Sequence, residues 1–174
     1  MCSSRITISS RQALVAYQVR VLPPLHQHII LLVLSIVFLL IDQVSKYWAR
    51  STLLPGSPKP FLPGLVQLRL VNNTGAAFGL FSNATSILGL LSLITAIILL
   101  IWLRYSPPLP FWQAFATTLL LAGTLGNGID RWRLGYVTDF LEFMPIHFAV
   151  FNGADMAING AVICFTIDYL SRRK

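Results

Sequence analysis

The segment ATSILGLLSLITAIILLIWL, residues 84–103, contains no charged residue and is followed directly by Arg104. A helix needs about 20 mostly apolar residues to cross a bilayer, so this segment predicts a membrane-spanning helix. The turn Ser106-Pro-Pro-Leu-Pro110 comes next. It predicts a reversal of the chain, because proline cannot continue a helix.

Three further segments have the same character, and together they predict an all-α integral membrane protein with four transmembrane helices. The expected spans cover residues 29–48, 84–103, 111–129 and 147–169. The composition agrees, because 55% of the 174 residues are hydrophobic and only 11% are charged, against roughly 25% charged in an average soluble domain. It excludes a disordered chain, and two distant cysteines exclude a disulfide-rich scaffold.

The longest connection between spans, residues 50–83, predicts a small β-rich segment. Leu65-Val-Gln-Leu-Arg-Leu-Val71 alternates as a strand does, and Asn72-Asn-Thr-Gly75 supplies turn residues. Residues 1–25 form a separate basic extension, which resembles an organellar transit peptide as well as a cytoplasmic tail. The four-helix domain is expected over residues 26–174.

The net charge of +7 does not indicate nucleic-acid binding, because the 13 Lys and Arg residues are dispersed between the apolar segments. Phosphate binding requires clustered cations on one face. Four spans place both termini on one side of the membrane. An N-terminus in the cytoplasm leaves seven of these cations inside and six outside, so the positive-inside rule narrowly favours this orientation.

The chain has only six acidic residues, and each lies within a span, at its end, or between the third and fourth spans. They are Asp42, Asp130, Asp139, Glu142, Asp155 and Asp168. A carboxylate inside a membrane segment costs about 3 kcal/mol or more, so it is a functional-site candidate by default. The acidic residues are therefore the first candidates for catalytic or binding residues.

Two groups of polar residues have a structural interpretation beside a functional one. Asp42 and Lys46 are spaced i, i+4, which favours a helical ion pair. This pair either satisfies itself, with Lys46 extending to the interface, or orients a neighbouring site. Asn127, Asp130 and Arg131 share one helical face, where a structural polar cluster of Asp130 and Arg131 with other spans is favoured.

Small residues precede this cluster in the third span. Gly123, Gly126 and Gly128 predict a close approach of neighbouring helices, because glycine lets two backbones come together.

In the fourth span, Asn152, Asp155 and Asn159 form one polar stripe, which lipid cannot satisfy. Asp139 lies in the preceding link. Two carboxylates brought together there have the chemistry of an aspartic protease, in which one holds a proton and the other activates water. The alternative is a stripe that only joins helices, with Asp139 solvated in its loop. Spacing alone leaves both open.

Other chemistries fit less well. The sequence has no HExxH motif, and His26, His28 and His147 occupy unrelated positions, so neither a metal site nor a cofactor is predicted. A GxSxG motif is absent too. Cys164 lies in the middle of a span and is predicted to be a core residue.

Five motifs in order resemble the lipoprotein signal peptidases, the signal peptidase II family. They are Asp42-Gln-Val-Ser-Lys46, Asn73-Thr-Gly-Ala-Ala-Phe78, Gly126-Asn-Gly-Ile-Asp-Arg131, Val137-Thr-Asp-Phe140 and Phe151-Asn-Gly-Ala-Asp155. The resemblance covers nearly everything from residue 41 to residue 161. Two features depart from the family: the long N-terminal extension, and Gly153, where a bulkier apolar residue is more usual.

The resemblance implies an aspartic endopeptidase of the bacterial cytoplasmic membrane. Such an enzyme cuts the signal peptide from a prolipoprotein before a cysteine that carries diacylglycerol. It implies Asp139 and Asp155 as the catalytic pair and a β-rich platform at residues 60–80. The residues that it implies line or shape the site are Asp42, Lys46, Asn73, Gly75, Asn127, Asp130, Arg131, Asn152 and Ala154.

Two classes of protein other than a peptidase match part of this pattern. A small four-helix proton-coupled transporter would use an intramembrane carboxylate such as Asp155. The clustering of the acidic residues near one surface argues against it. A non-enzymatic assembly factor would use the polar stripe to bind partner helices.

Overall fold

The computed structural model describes residues 24–75, 84–146 and 148–173, which form four α-helices and a small sheet. The elements are α1 (Pro24–Thr52), β1 (Lys59–Leu62), β2 (Val66–Asn73), α2 (Thr85–Tyr105), α3 (Phe111–Leu134), β3 (Val137–Phe143), a 3-10 turn (Met144–Ile146) and α4 (Gly153–Ser171). The basic extension up to residue 23, the motif residues 76–78 and His147 lie outside the described residues.

α3 is the central helix and packs against α1, α2 and α4. Its buried positions are mainly Ala, Thr and Gly, which lets the neighbouring backbones approach. A Cβ atom added at Gly123 would lie 2.5 Å from the carbonyl oxygen of Ala154, and one at Gly126 would lie 2.6 Å from Oδ2 of Asp42. The predicted close approach at these glycines is confirmed.

Two of the four helices, α1 and α2, are long and apolar enough to span a membrane. α3 and α4 contain 24 and 19 residues, but their polar residues lower their overall hydropathy. On α4 the outer face is apolar, with Met156, Val162 and Ile163 exposed. Crossing by all four helices stays a prediction.

The start of the fourth helix differs from the predicted start at residue 147. α4 begins at Gly153, because Asn152 forms a capping box with Asp155. Asn152 Oδ1 accepts a hydrogen bond from the Asp155 amide at 3.0 Å, and Asp155 Oδ2 accepts one from the Asn152 amide at 3.2 Å. Upstream of this cap, Phe151 forms an isolated antiparallel bridge with Leu141. Apolar character alone therefore extended the predicted helix too far.

The sheet is antiparallel, in the order β1-β2-β3. The predicted strand at residues 65–71 is confirmed as β2, which continues through Asn72 and Asn73 instead of turning there. Asp139, which was expected in the link between the third and fourth spans, lies in β3 of that link, where it pairs with Val71. The β-branched and aromatic residues of β3 favour this extended conformation.

The bundle has two contrasting ends. At the apolar end, defined by Leu31, Leu103, Leu109 and Ala114, the 106–110 turn packs against the start of α1. Gln27 Nε2 donates a hydrogen bond to the Leu109 carbonyl at 2.8 Å there. The sheet lies at the other end, where α1 and α3 finish and α4 begins. This polar end holds the candidate site.

Candidate active site

Asp139 of β3 and Asp155 of α4 line a single cleft of about 680 Å³ at the polar end. Asp139 is only 2% exposed, whereas Asp155 is half-buried. The alternative in which Asp139 is solvated in its loop is therefore wrong. The remaining candidate residues that line this cleft are Asn73, Gly75, Asn127 and Arg131.

One asparagine contacts both carboxylates. Asn152 Nδ2 donates to Asp139 Oδ1 at 2.6 Å, while the Asn152 amide donates to Asp155 Oδ2 at 3.2 Å. The same Asn152 caps α4. The geometry of the helix start therefore sets the relative position of the two acids.

Two more asparagines complete the carboxylate environment. Asn127 Nδ2 donates to Asp155 Oδ1 at 2.8 Å, and Asn73 Nδ2 donates to Asp139 Oδ2 at 2.9 Å. The Asn127 side-chain oxygen accepts from Lys46 Nζ at 2.9 Å and from Asn152 at 3.2 Å. Because both donors face that oxygen, the Asn127 amide group must turn its NH2 toward Asp155.

The environment of Asp139 favours its protonated form. Burial raises the pKa of Asp139 to about 6, and the nearby charge of Asp155 raises it too. Hydrogen bonds from Asn73 and Asn152 and the charge of Lys46 act in the opposite direction. A carboxyl group that keeps its proton beside a second carboxylate has the property that general acid catalysis requires.

Beneath the cleft, Lys46 is completely buried between two carboxylates. Its Nζ lies 2.9 Å from Asp42 Oδ2 and 3.4 Å from Asp130 Oδ2. The expected Asp42–Lys46 pair is confirmed, but Lys46 does not extend to the interface. Asp42 Oδ1 also accepts the Ala154 amide at 2.8 Å, which ties α1 to the first turn of α4. A Cβ at Gly153 would lie 3.3 Å from this oxygen.

The expected cluster with another span is confirmed for Asp130, which contacts Lys46 and Gln43 of α1, but no ion pair joins Asp130 to Arg131 among the described residues. Asp130 Oδ2 instead accepts the Thr138 amide at 3.0 Å. Arg131 Nη2 donates to the Gly75 carbonyl at 3.1 Å, and its buried Nε has no hydrogen-bond partner among the described residues. The guanidinium group of Arg131 therefore links α3 to the chain that follows β2, at the edge of the cleft.

Comparison with known proteins identifies the family. The model of the family described as signal peptidase (SPase) II matches residues 34–171. This chain belongs to that family. Membership makes it a protease and disfavours the proton-coupled transporter.

The similar proteins agree with the family match. The lipoprotein signal peptidase of Parasynechococcus marenigrum (strain WH8102) is 54% identical over 135 residues, which cover 77% of this chain and 84% of the relative. That of Synechococcus sp. (strain RCC307) is 49% identical over 136 residues, covering 78% and 90%. A solved bacterial membrane enzyme, determined by the in meso method, superposes with a TM-score of 0.77 and 28% identity, covering 83% of this chain and 89% of that one.

Two polar residues of this signal peptidase's site were missed by sequence reasoning. Gln43 Nε2 donates to the Gly126 carbonyl at 3.1 Å and to Asp130 Oδ1 at 3.3 Å. Thr138 Oγ1 accepts from Arg50 Nη1 at 2.8 Å. Gln43 follows Asp42 and Thr138 precedes Asp139 in the sequence motifs. This adjacency was the only sequence feature that could have indicated a role in the site.

No group of three or more His, Cys, Asp or Glu that could hold a metal ion occurs within residues 24–75, 84–146 and 148–173. Cys164 is a buried free thiol that packs with Ala116, Leu119 and Ala161. Its prediction as a core residue of this signal peptidase is confirmed.

Proposed function

We propose that this chain is an aspartic endopeptidase that removes the signal peptide of a prolipoprotein, cutting before the cysteine that carries diacylglycerol. The observation that carries the proposal is that Asp139 and Asp155 line one cleft and bind the same asparagine, Asn152. These two acids are the catalytic pair. The residues that line or shape the site are Asp42, Lys46, Asn73, Gly75, Asn127, Asp130, Arg131, Asn152 and Ala154.

In the proposed reaction, the pair begins with one proton, on Asp139. Ionised Asp155 takes a proton from water while the water oxygen attacks the scissile carbonyl, and Asp139 gives its proton to the carbonyl oxygen. The tetrahedral intermediate then collapses. The C–N bond breaks, the leaving amine takes a proton from Asp155, and Asp139 recovers the proton from the hydroxyl oxygen. Water is the only co-reactant.

The surrounding residues position this pair. Asn127 and Asn152 fix the Asp155 carboxylate, and Lys46 fixes Asn127 from below. Asp42 and Asp130 neutralise Lys46. The buried charges therefore act through the asparagines.

We also propose that residues 26–174 form one peptidase domain that crosses the bacterial cytoplasmic membrane four times, with both termini in the cytoplasm. The support is that the described chain ends lie at the apolar end, opposite the cleft. α1 and α2 satisfy the length and hydropathy of a span, and α4 exposes an apolar outer face. The partners are then membrane lipid and the lipid-modified substrate, without nucleic acid.

A reporter fused after Lys174 tests this orientation. An enzymatic reporter that functions only in the cytoplasm is expected to be active. A reporter that functions only outside the membrane should be silent, and its activity would contradict the proposed orientation.

Cleavage of a diacylglyceryl-modified precursor by the purified protein in detergent tests the catalytic assignment. Asp139→Asn and Asp155→Asn each remove a proton-transfer group while preserving shape, so each is expected to lower kcat by about 10⁴-fold. The double variant should be hardly slower than either single variant, because the two groups act as a unit.

Asp168→Asn is the matched control. The Asp168 carboxylate contacts Arg172 at 2.9 Å, on the last turns of α4 and far from the cleft, so this variant is expected to keep its activity. Precursor without diacylglycerol should be cut poorly. Substantial turnover by either dyad variant with an unchanged melting temperature would overturn the assignment.

A further inference from the structure

A second groove adjoins the catalytic cleft. It has a volume of about 430 Å³ and runs between the segment after β3 and the outer face of α4. Its lining is apolar except for Asn159, and Phe151 and Asn159 line both the groove and the cleft. Phe148 lines both as well, so the groove and the cleft are directly adjacent.

The groove follows a straight line along α4. Asp155, Asn159 and Ile163 are spaced by four residues, so they lie on one helical face at intervals of about 6 Å. Met156 and Ile163, which both line the groove, are 56% and 60% exposed. The groove is consequently open toward the side where the proposed membrane placement puts lipid.

Asn159 is the unexplained polar residue of this helix. Within the described part of the chain, its side chain makes no hydrogen bond, unlike those of Asn73, Asn127 and Asn152. Asn159 is exposed and lines both the polar cleft and the apolar groove, so its amide group is available to a ligand that extends from one into the other. The groove is apolar except for the side-chain amide of Asn159 at its entrance. It therefore fits a ligand that is apolar except for one hydrogen-bond acceptor near the end that faces the cleft.

We propose that this groove binds one acyl chain of the substrate's diacylglycerol and that Asn159 Nδ2 donates a hydrogen bond to the ester carbonyl of that chain. The inference rests on the proposed function. The lipid-bearing cysteine follows the bond that is cut, so its thioether and glycerol lie a few atoms from Asp155. Asn159 is one helical turn away, at the distance of the ester, and Ile163 is one turn further along the chain.

Kinetics with two synthetic substrates test this assignment. One carries a diacylglyceryl cysteine, and the other carries the dialkyl ether analogue, which lacks both carbonyl groups. For Asn159→Leu, which is similar in shape, KM for the diester is expected to rise roughly five-fold with kcat unchanged, as for the loss of one ordinary hydrogen bond. KM for the ether should be the same for both enzymes.

Thr166→Val is the matched control. Thr166 is also an exposed polar residue of α4, but its hydroxyl donates to the Val162 carbonyl at 2.8 Å and does not line the groove. This variant is expected to leave both KM values unchanged.

Filling the groove provides a second, independent measurement. Ile163→Trp is expected to raise KM for a substrate with long acyl chains several-fold while sparing one with butyryl chains, because only the long chain extends past Asn159. An equal effect on both chain lengths would contradict the groove assignment.

The outcomes separate the two proposals. An unchanged KM for Asn159→Leu, or equal changes for diester and ether, would overturn the role of Asn159 and favour a groove filled by membrane phospholipid. Failure of the unmodified enzyme to cut the diester substrate would instead overturn the proposed function.

Discussion

At the apolar end of the bundle, the side chains of Leu31, Leu103, Leu109 and Ala114 form one hydrophobic cluster. At the polar end, the same helices bury Lys46 between Asp42 and Asp130. Apolar packing discriminates weakly between neighbours in a membrane, since lipid tails are as apolar as leucine. A buried cation has no substitute partner in lipid, so it specifies which helices meet and in which register. The contrast indicates that the polar end, which holds the proposed active site, also determines the helix arrangement.

The largest effect is expected from Lys46→Met, which leaves two carboxylates buried without a cation. Removing one member of a buried ion cluster costs about 3–5 kcal/mol. We expect a corresponding loss of the free energy of unfolding in detergent, together with loss of cleavage. Replacing Asp42 and Asp130 by asparagine in the same variant should recover most of the stability, because the uncompensated charges are then gone.

Leu103→Ala is the control at the apolar end. A large-to-small substitution in a packed cluster costs about 2 kcal/mol at the lower end of its range. Cleavage should be retained, because Leu103 belongs to the cluster opposite the cleft. Equal losses of activity in Lys46→Met and Leu103→Ala would contradict the conclusion that only the polar end supports cleavage.

A smaller effect is expected in the pH dependence of kcat/KM. The pKa of Asp139 is raised to about 6 by burial, and the proposed reaction requires its proton, so kcat/KM should fall as the pH rises through about 6. Asn73→Ala removes a hydrogen bond that favours the charged carboxylate. This limb should therefore move to higher pH, by roughly half a unit to one unit.

Asn72→Ala is the matched control, because Asn72 is the neighbouring residue of β2 and makes no hydrogen bond to Asp139. It should leave the apparent pKa unchanged. A shift to lower pH in Asn73→Ala would contradict the assignment of the proton to Asp139.

The free energy of unfolding should also decrease as the pH rises. The pKa of Asp139 is about 6 in the folded protein, against an ordinary value of 3.8. The contribution of protonated Asp139 to folding is therefore lost as the pH rises through that interval.

Sequence patterns predicted the features that depend on neighbours along the chain. The helices followed from hydropathy, and the Asp42–Lys46 pair followed from its i, i+4 spacing. The close approach at Gly123 and Gly126 followed from residue size. These are local properties, which a single sequence displays.

The features that were missed depend on partners distant in the sequence. The burial of Lys46 requires Asp130 of α3, and β3 requires pairing with β2, so neither is visible in its own segment. The start of α4 was misplaced because residues 148–152 are largely apolar yet not helical, and only the capping role of Asn152 marks the boundary. Spacing alone also could not predict that Asp139 and Asp155 line one cleft, because their positions depend on how β3 and α4 pack against distant segments.

The double role of Asn152 joins the start of a helix to the chemistry. Its side-chain oxygen accepts the Asp155 amide while its NH2 group binds Asp139. Fraying of the first turn of α4 therefore separates the two acids even when the remaining helices stay packed. Local opening of this kind requires less free energy than global unfolding. Heat should thus inactivate the enzyme before the bundle melts, and hydrogen exchange at the Asp155 amide would report how often the resting enzyme loses its active geometry.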